Sequence, residues 1–373
     1  MAQAMLMRTG QMMSVKIHHQ SDAAAHAADF SALARNQLES PGYAAAAMLC
    51  AILGNVEGGV LKSVGDTTGL TACVALRSRR FPLPVDESWI TPLSSSGVPV
   101  LDRTSAPMAV AALVSSLQHP VILREVPQNG KFFQLLQNSG ARFTTLAQWQ
   151  RACLKTDSSF PLWMETNFDH KRRKELKRVR SRLMEQGQVE FQSLDSNTRP
   201  DTFIDDFLRL EASGWKAQTG TALAQSKPLE RALRQGLTAL HAAKSLRFWR
   251  IVKEGKAIAA LFAIVENGQA TLGKIAYDES HAKYSPGVLL ILEATEHFFT
   301  SADITFADSN AVPDHPMINR IWRDRLTVLA VMIAPPAMSG GRFRIAVATE
   351  RSRNALRQVA KNIYHKAKSK VCK

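Results

Sequence analysis

The stretch from Gly273 to Leu290, GKIAYDESHAKYSPGVLL, limits what this chain can fold into more than any other. It reads as a strand, a tight loop and a helix start, in that order. Pro286 presets φ for a first helical turn and has no N–H to leave unpaired there. Gly287 lets a ligand approach the backbone closely. From Val288 the apolar residues Leu289, Leu290 and Leu292, closing on Phe298-Phe299, predict a helix that buries a broad face. Free N–H groups and the positive dipole end at such a start make an anion site suited to a pyrophosphate. An isolated Ser-Pro-Gly is equally an ordinary helix start that binds nothing. The surroundings therefore decide.

Those surroundings are strands. Leu246, Phe248 and Ile251 mark a strand over 245–253 that ends at the Glu254-Gly255 turn. Residues 257–266 are almost wholly apolar, as a buried central strand requires. Asn267-Gly268 is the strongest hairpin signal in the chain, and 269–277 returns antiparallel. The helix 286–300, a short strand at 304–307, a helix at 313–325 and a last strand at 326–333 follow. The expected fold class is α+β: a mixed, mainly antiparallel sheet flanked by helices, with the Ser-Pro-Gly loop at its open middle.

Several ordered pieces together resemble a known family. They are the basic helix from Phe168 to Leu183, Leu210-Glu211-Ala212-Ser213-Gly214-Trp215-Lys216 with Thr219-Gly220-Thr221, Ile258-Ala259-Ala260, Lys274-Ile275-Ala276-Tyr277-Asp278, and Tyr284-Ser285-Pro286-Gly287. In this order, over about 120 residues, they resemble the GNAT acetyltransferases. More narrowly they resemble the CelD/BcsL type, which is related to the FemABX aminoacyltransferases. The resemblance implies tandem GNAT-like domains, the N-terminal one degenerate. The expected division is a degenerate domain over 1–150, a catalytic domain over 151–340 and a basic helical tail over 341–373. It also implies acetyl-CoA (or another acyl-CoA) as co-substrate and a small metabolite, sugar nucleotide or polysaccharide precursor as acceptor. Family members often continue after the last strand with a Gly-rich turn and a Tyr-Lys pair before a Trp. Here Asp308 to Pro316 has no such pair, although Trp322 is present, so a different acceptor pocket is expected.

Charge is unevenly placed. The net charge is +15, and the segments 167–187 and 342–373 carry 14 of that excess between them. Concentrated positive charge steers anionic partners, so RNA and a membrane surface are both candidates for the basic helix and tail. The helix over 169–186, with Asn167 as its expected N-cap, has Leu176, Val179, Leu183 and Met184 as its apolar stripe. Its bases read either as a solvated face or as contacts to an anionic acceptor or nucleotide. Tail removal beyond about Arg351 is expected to leave chemistry intact. The four cysteines show no CxxC pairing and the ten histidines no ligand spacing, which argues against a metal and fits a reducing, cytoplasmic setting. The most apolar run, Tyr43 to Leu53, is well short of the roughly 20 residues that span a bilayer. No export signal is read at the N-terminus.

The first 40 residues read as a loose arm with a helix near 29–38. Strands are expected near 60–64, 70–76 and 120–124, and helices over 108–117 and 132–138, with 141–147 leading out of the domain. No catalytic arrangement stands in this half.

Acyl transfer from a thioester needs a docked thioester, a donor that polarises its carbonyl, and a deprotonated nucleophile. Backbone N–H groups of Gly287, Val288 and Leu289, beside Ser285, are expected to hold the pyrophosphate. The strand end at Ala276 and Tyr277 is expected to polarise the carbonyl. Asp278, Asp308, Glu211 and His315 are the candidates for the base. Each has an ordinary alternative: Asp278 as a turn former, Asp308 as a cap, His315 as a loop histidine. By position and resemblance, Lys274 and His315 contact substrate, Trp215 and Lys216 wall its channel, and Tyr284 donates to the leaving thiolate.

Overall fold

The computed structural model describes residues 5–8, 11–40, 45–94, 96–213 and 222–371. The apolar run read as a central strand is β11 (Lys256–Glu266), buried from Ala257 to Val265. It lies between β10 (Leu246–Lys253) and β12 (Gln269–Tyr277), with Leu246 opposite Ile264 and Ala259 opposite Tyr277. Asn267, at φ 55°, and Gly268, at φ 78°, make the turn between them. β9 (Val189–Ser193) extends this group along β10.

Among the described residues fourteen strands form one sheet. The remaining ones are β1 (Met5–Arg8), β2 (Gln11–His18), β3 (Val60–Asp66), β4 (Gly69–Arg79), β5 (Val85–Ser88), β6 (Val100–Leu101), β7 (Val121–Pro127), β8 (Phe143–Lys155), β13 (Phe306–Asp308) and β14 (Asp324–Ile333). They run in the order β1-β2-β3-β4-β5-β7-β14-β8-β13-β12-β11-β10-β9, with β6 on β4. All pairings are antiparallel except β5 with β7 and β12 with β13. Those two exceptions mark a repeat. Each is a strand, a crossover helix and a parallel strand: β5, α3 (Ala106–Ser115), β7 in the first half, and β12, α9 (Pro286–Thr300), β13 in the second.

The two halves exchange their last strands. β8 leaves the first half and closes β13, with Cys153 opposite Asp308. β14 leaves the second half and lies between β8 and β7, with Val328 opposite both Trp149 and Pro127. Residue 150, the expected boundary, falls inside β8. The helices α1 (Ala23–Arg35), α2 (Ala46–Asn55), α7 (Asp201–Ser213) and α8 (Lys227–Ala242) share a core that takes Leu61 and Ala75 from one half and Phe248 and Phe262 from the other. A second core gathers α5 (Phe160–Asn167), α6 (His170–Met184) and α9 around Trp249, Leu261, Phe298 and Trp322. α3 and α4 (Lys131–Asn138) cover the first half, and the start of α10 (Gly340–Val371) packs on β7 and β14 through Phe343, Ala346 and Val347.

Several local expectations change. The N-terminal arm supplies β1 and β2, and its helix begins at Ala23 rather than near 29. Residues 141–147 do not merely lead out; they enter a strand of 13 residues. The N-cap of α6 is Asp169, whose carboxylate accepts the Arg172 N–H at 2.6 Å. Asn167 ends α5 instead, with its amide buried on the Ile321 carbonyl at 2.6 Å. Of the helix expected over 313–325 only a 3-10 turn, Ile318–Arg320, forms. Two prolines in that stretch, Pro313 and Pro316, remove the donors an α-helix would use.

Candidate active site

β12 pairs with β13 only from Gln269 to Thr271. Beyond that, Leu272 to Tyr277 have a ladder partner only on β11. β13 stops at Asp308, and the next N–H, of Ser309, turns to the Ala152 carbonyl on β8. The two parallel strands therefore part, and among the described residues no strand pairs with the β13-facing edge of β12 beyond Thr271. A bulge between Leu261 and Ala263 helps to bend that edge. Gly273 sits at the bend, where a Cβ would fall 2.2 Å from Phe262 Cε2.

The N-terminus of α9 stands at this opening. Ser285 is left-handed, at φ 48° and ψ 49°, and its N–H bonds the Ala282 carbonyl at 2.9 Å. Its own carbonyl accepts from Val288 at 3.0 Å and Leu289 at 3.2 Å. Pro286 has no N–H. That leaves Gly287, which is buried and whose N–H has no hydrogen-bond partner among the described residues. Of the three donors expected to face an anion, only that of Gly287 is uncommitted. A Cβ on Gly287 would meet Ile275 Cδ1 and Met317 Sδ at 3.5 Å and Tyr277 Cδ1 at 3.6 Å, which is ordinary contact. The parted section of β12, the helix start and the segment after β13 thus converge here.

Asp308 is buried and engaged on both oxygens. Oδ2 accepts from Arg151 at 2.6 Å and Oδ1 from the Asn310 N–H at 2.9 Å. Arg151, buried on β8, reaches the other way to Glu125 Oε2 at 2.7 Å. A row of three charges so crosses the seam, from β7 over β14 and β8 to β13. Glu125 gave no sequence signal. It is a non-glycine residue at φ 59°, where β7 carries the extra residue of a bulge opposite β14 between Leu329 and Val331, and its carboxylate is a quarter exposed. Burial pushes the Glu125 carboxyl above its ordinary range; the Arg151 guanidinium opposes the rise and the Asp308 charge adds to it.

The other candidates fall into place as follows. Asp278 caps a 3-10 turn: its Oδ1 accepts from the Ser280 hydroxyl at 2.7 Å and N–H at 3.0 Å, and the hydroxyl bond chiefly holds its carboxyl below the usual range. Glu211 is buried on α7 and accepts the Leu223 N–H at 2.7 Å. His315 Nδ1 accepts from the N–H groups of Met317 at 3.3 Å and Ile318 at 3.5 Å, and burial lowers its pKa. It orders the segment that brings Met317 to Gly287. Tyr284 packs at the edge of the second core under the Lys283 ammonium, 5.0 Å from its ring centre. Lys274 and Tyr277 lie on the parted section of β12, and Ala276 faces the α7 core. Trp215 and Lys216 lie outside the described residues. Trp322 is core, its indole donating to Thr295 at 3.0 Å. Among the described residues no cluster of three metal-ligating side chains occurs, and no helix is long and apolar enough to cross a membrane.

The equivalent opening in the first half is shut. Past Glu87, the Ser88 hydroxyl donates to the Ile122 carbonyl at 3.3 Å and accepts the Arg124 N–H at 3.0 Å. Gly97 fills what remains, its N–H on the Arg124 carbonyl at 2.8 Å and its Cα so close that a Cβ would lie 2.1 Å from Ser88 Oγ.

Comparison with known proteins agrees with this geometry. None of the curated proteins matches the sequence. Three solved structures share the fold at low identity. A DUF2156 C-terminal domain from Agrobacterium fabrum is 12% identical with a TM-score of 0.55, covering 88% of this chain and 95% of its own. A conserved protein of unknown function from Bacteroides thetaiotaomicron is 12% identical with a TM-score of 0.52, covering 83% and 97%. L-PGS from Bacillus licheniformis is 11% identical with a TM-score of 0.51, covering 87% and 96%. Residues 170–306 match the family described as Acetyltransferase (GNAT) domain, a span that begins at α6 and ends as β13 starts. Residues 170–306 are thus similar to a GNAT-type acetyltransferase domain, within a mixed helix-and-strand fold of the tandem GNAT-like kind.

Proposed function

We propose that the second half transfers an acyl group, acetyl in the simplest case, from coenzyme A to an amine or hydroxyl of a small metabolite, sugar nucleotide or polysaccharide precursor. The observation that carries this reading is the buried, uncommitted Gly287 N–H at the mouth of the parted strands. Leaving a buried donor unmade costs about 1–3 kcal/mol. A pyrophosphate oxygen is an acceptor of the right charge at the positive end of α9. The parted section of β12 is our choice for the backbone that pairs with the amides of an extended pantetheine arm, as a further strand would. Ala276 and Tyr277, at the end of that section, are our choice for the backbone that polarises the carbonyl.

For the base we favour Glu125 over Asp308, Asp278 and Glu211. A general base works best with a pKa near the working pH. Glu125 is moved towards it and, although one oxygen accepts from Arg151, its carboxylate is a quarter exposed; Asp308 is buried and engaged on both oxygens, and Asp278 and Glu211 are held by Ser280 and Leu223. Asp308 then holds Arg151, and through it the Glu125 carboxylate.

Calorimetry with coenzyme A and acetyl-CoA tests the reading on the parent and on Gly287→Ala. The replacement meets only ordinary contacts in the protein, and alanine is favoured over glycine in a helix by about 1 kcal/mol, so the melting temperature should not fall. Coenzyme A binding should weaken at least about tenfold, which is 1.4 kcal/mol. Failure of the parent to bind either ligand, or unchanged binding by Gly287→Ala, overturns the assignment.

A second reading is aminoacyl transfer from a charged tRNA in the manner of the FemABX enzymes. It is favoured by α6, which packs beside the 3-10 turn Glu279–Tyr284 leading into Ser285. Lys171, Arg172, Lys174, Lys177 and Arg182 are exposed on it without a carboxylate partner among the described residues. tRNA in the same calorimeter decides. This reading requires tight binding that weakens with salt by about 0.7–0.9 decades per decade for each phosphate contacted, with no binding of coenzyme A.

A further inference from the structure

We infer that the far half of α10 is a docking element for an anionic lipid surface. The helix runs 32 residues, from Gly340 to Val371, and among its described side chains those in the buried cores lie at its beginning. Phe343, Ala346, Val347 and Glu350 face the sheet. From Ala355 to Ala360 every residue is exposed, so the helix has left the body by then.

Exposure alone says little, but the pattern does. Ile345, Leu356, Val359 and Ile363 are 63%, 71%, 55% and 63% exposed, and they are four of the eleven large apolar side chains that stand exposed among the described residues. At about 100° per residue these positions fall within about 60° of one another around the helix. The residues that pack on the sheet lie on the opposite side. α10 thus has two apolar faces: a proximal one that the sheet covers, and a distal row that the protein leaves bare.

Charge selects the occupant. From Arg351 to Lys373 there are eight Lys and Arg and no Asp or Glu. A second copy of this helix would bring like charge against like charge, which disfavours self-association through this row. Nucleic acid would meet the charge but has no use for an aliphatic row, and 351–373 offers a single aromatic residue, Tyr364, for base stacking. A bilayer rich in anionic headgroups meets both features: the charges stay at headgroup level while leucine, valine and isoleucine enter the acyl boundary. A helix of this length that stands free in water is marginal on its own, so an interface would also stabilise it.

Co-sedimentation of the full chain with extruded vesicles tests this. Vesicles of phosphatidylcholine with about 30 mol% phosphatidylglycerol should retain the protein at least about tenfold better than phosphatidylcholine alone. The preference should collapse between roughly 0.1 and 0.5 M salt. The triple variant Leu356→Ser, Val359→Ser, Ile363→Ser should lose at least about tenfold in partitioning at low salt, with little change in melting temperature because these side chains are exposed and lie outside the buried cores. Equal retention on both vesicles, or full retention of the triple variant, overturns the proposal. So does sedimentation velocity showing a dimer that the triple variant abolishes, or RNA binding without vesicle binding.

Discussion

Glu350 offers the sharpest test of how the tail is attached. It is the single acidic residue of the segment 342–373, it is 2% exposed, and three arginines surround it. Arg79 donates to Oε2 at 2.6 Å, Arg353 to Oε1 at 2.6 Å, and Arg124 stands 3.8 Å from Oε1. Glu350→Gln keeps the volume and removes the charge. Breaking a buried pair by deleting one partner costs about 3–5 kcal/mol, because the other charge is left desolvated. That figure needs reducing here. Arg124 retains Glu87 at 3.3 Å, and Arg79 and Arg353 are 15% and 14% exposed, enough to recover some hydration. The expected loss is therefore about 2–3 kcal/mol, read from the midpoint and slope of a urea titration. Arg178→Gln is the control. Its pair with Glu175 is 52% and 37% exposed, and such surface pairs are worth about 0–1 kcal/mol. A Glu350→Gln midpoint no lower than that of the control would refute the argument and make Phe343, Ala346 and Val347 the whole of the attachment.

Three further outcomes follow from single contacts. Gly273→Ala should destabilise by about 1–3 kcal/mol, since its Cβ would overlap the Phe262 ring, and Phe262→Leu in the same chain should recover part of the loss in the same urea titration. Glu266 has its carboxyl raised from 4.5 to about 7, chiefly by burial, with the Gln37 amide at 3.0 Å as a counterweight. The folded state then holds a proton the unfolded state has released, so the Glu266 contribution is whole below pH 4.5 and fades as pH rises through about 7. Glu266→Gln should flatten that part of a melting-temperature profile; an unchanged profile would mean Glu266 does not titrate there. Once an amine acceptor supports turnover, Glu125→Gln should lower kcat by roughly 10²–10⁴-fold and abolish the acidic limb of the pH–rate profile while leaving coenzyme A affinity unchanged. A preserved limb would move the base elsewhere.

Legibility in the sequence followed the range of the interactions. The hairpin at Asn267-Gly268, the buried run of β11 and the Ser-Pro-Gly helix start are each fixed by neighbours a few residues apart, and each stands where the sequence puts it. Even there the detail is finer than the motif. Ser285 is left-handed, so its carbonyl collects the N–H groups of Val288 and Leu289, and of the three donors Gly287 alone has no partner among the described residues. β8 could not be read, because its pattern from Phe143 to Leu154 alternates poorly: the strand crosses from one half to the other and changes neighbours on the way. The partners of Asp308 were hidden for the same reason, Arg151 being 157 residues away and reached only through that exchange. Glu125 carries no local mark except its left-handed backbone, which no sequence pattern announces.

The exchange also bears on why the chain keeps two halves and one opening. Both have a parallel strand pair bridged by a helix, and in both the strands part after two or three paired residues. In the first half the Ser88 hydroxyl and the Gly97 N–H close the gap with hydrogen bonds to β7. Arg124, next in sequence to Glu125, belongs to that closure through its own N–H and carbonyl. The Glu125 backbone thus sits beside that closure, while its carboxylate reaches Arg151 and, through it, the end of β13. In its proposed role Glu125 is therefore held from both halves, by the β7 backbone on one side and by Arg151 on the other. On this argument, replacing Gly97 should disturb the second half's chemistry even though Gly97 lies in the first: a side chain there must displace Ser88 or Arg124, and Glu125 with them.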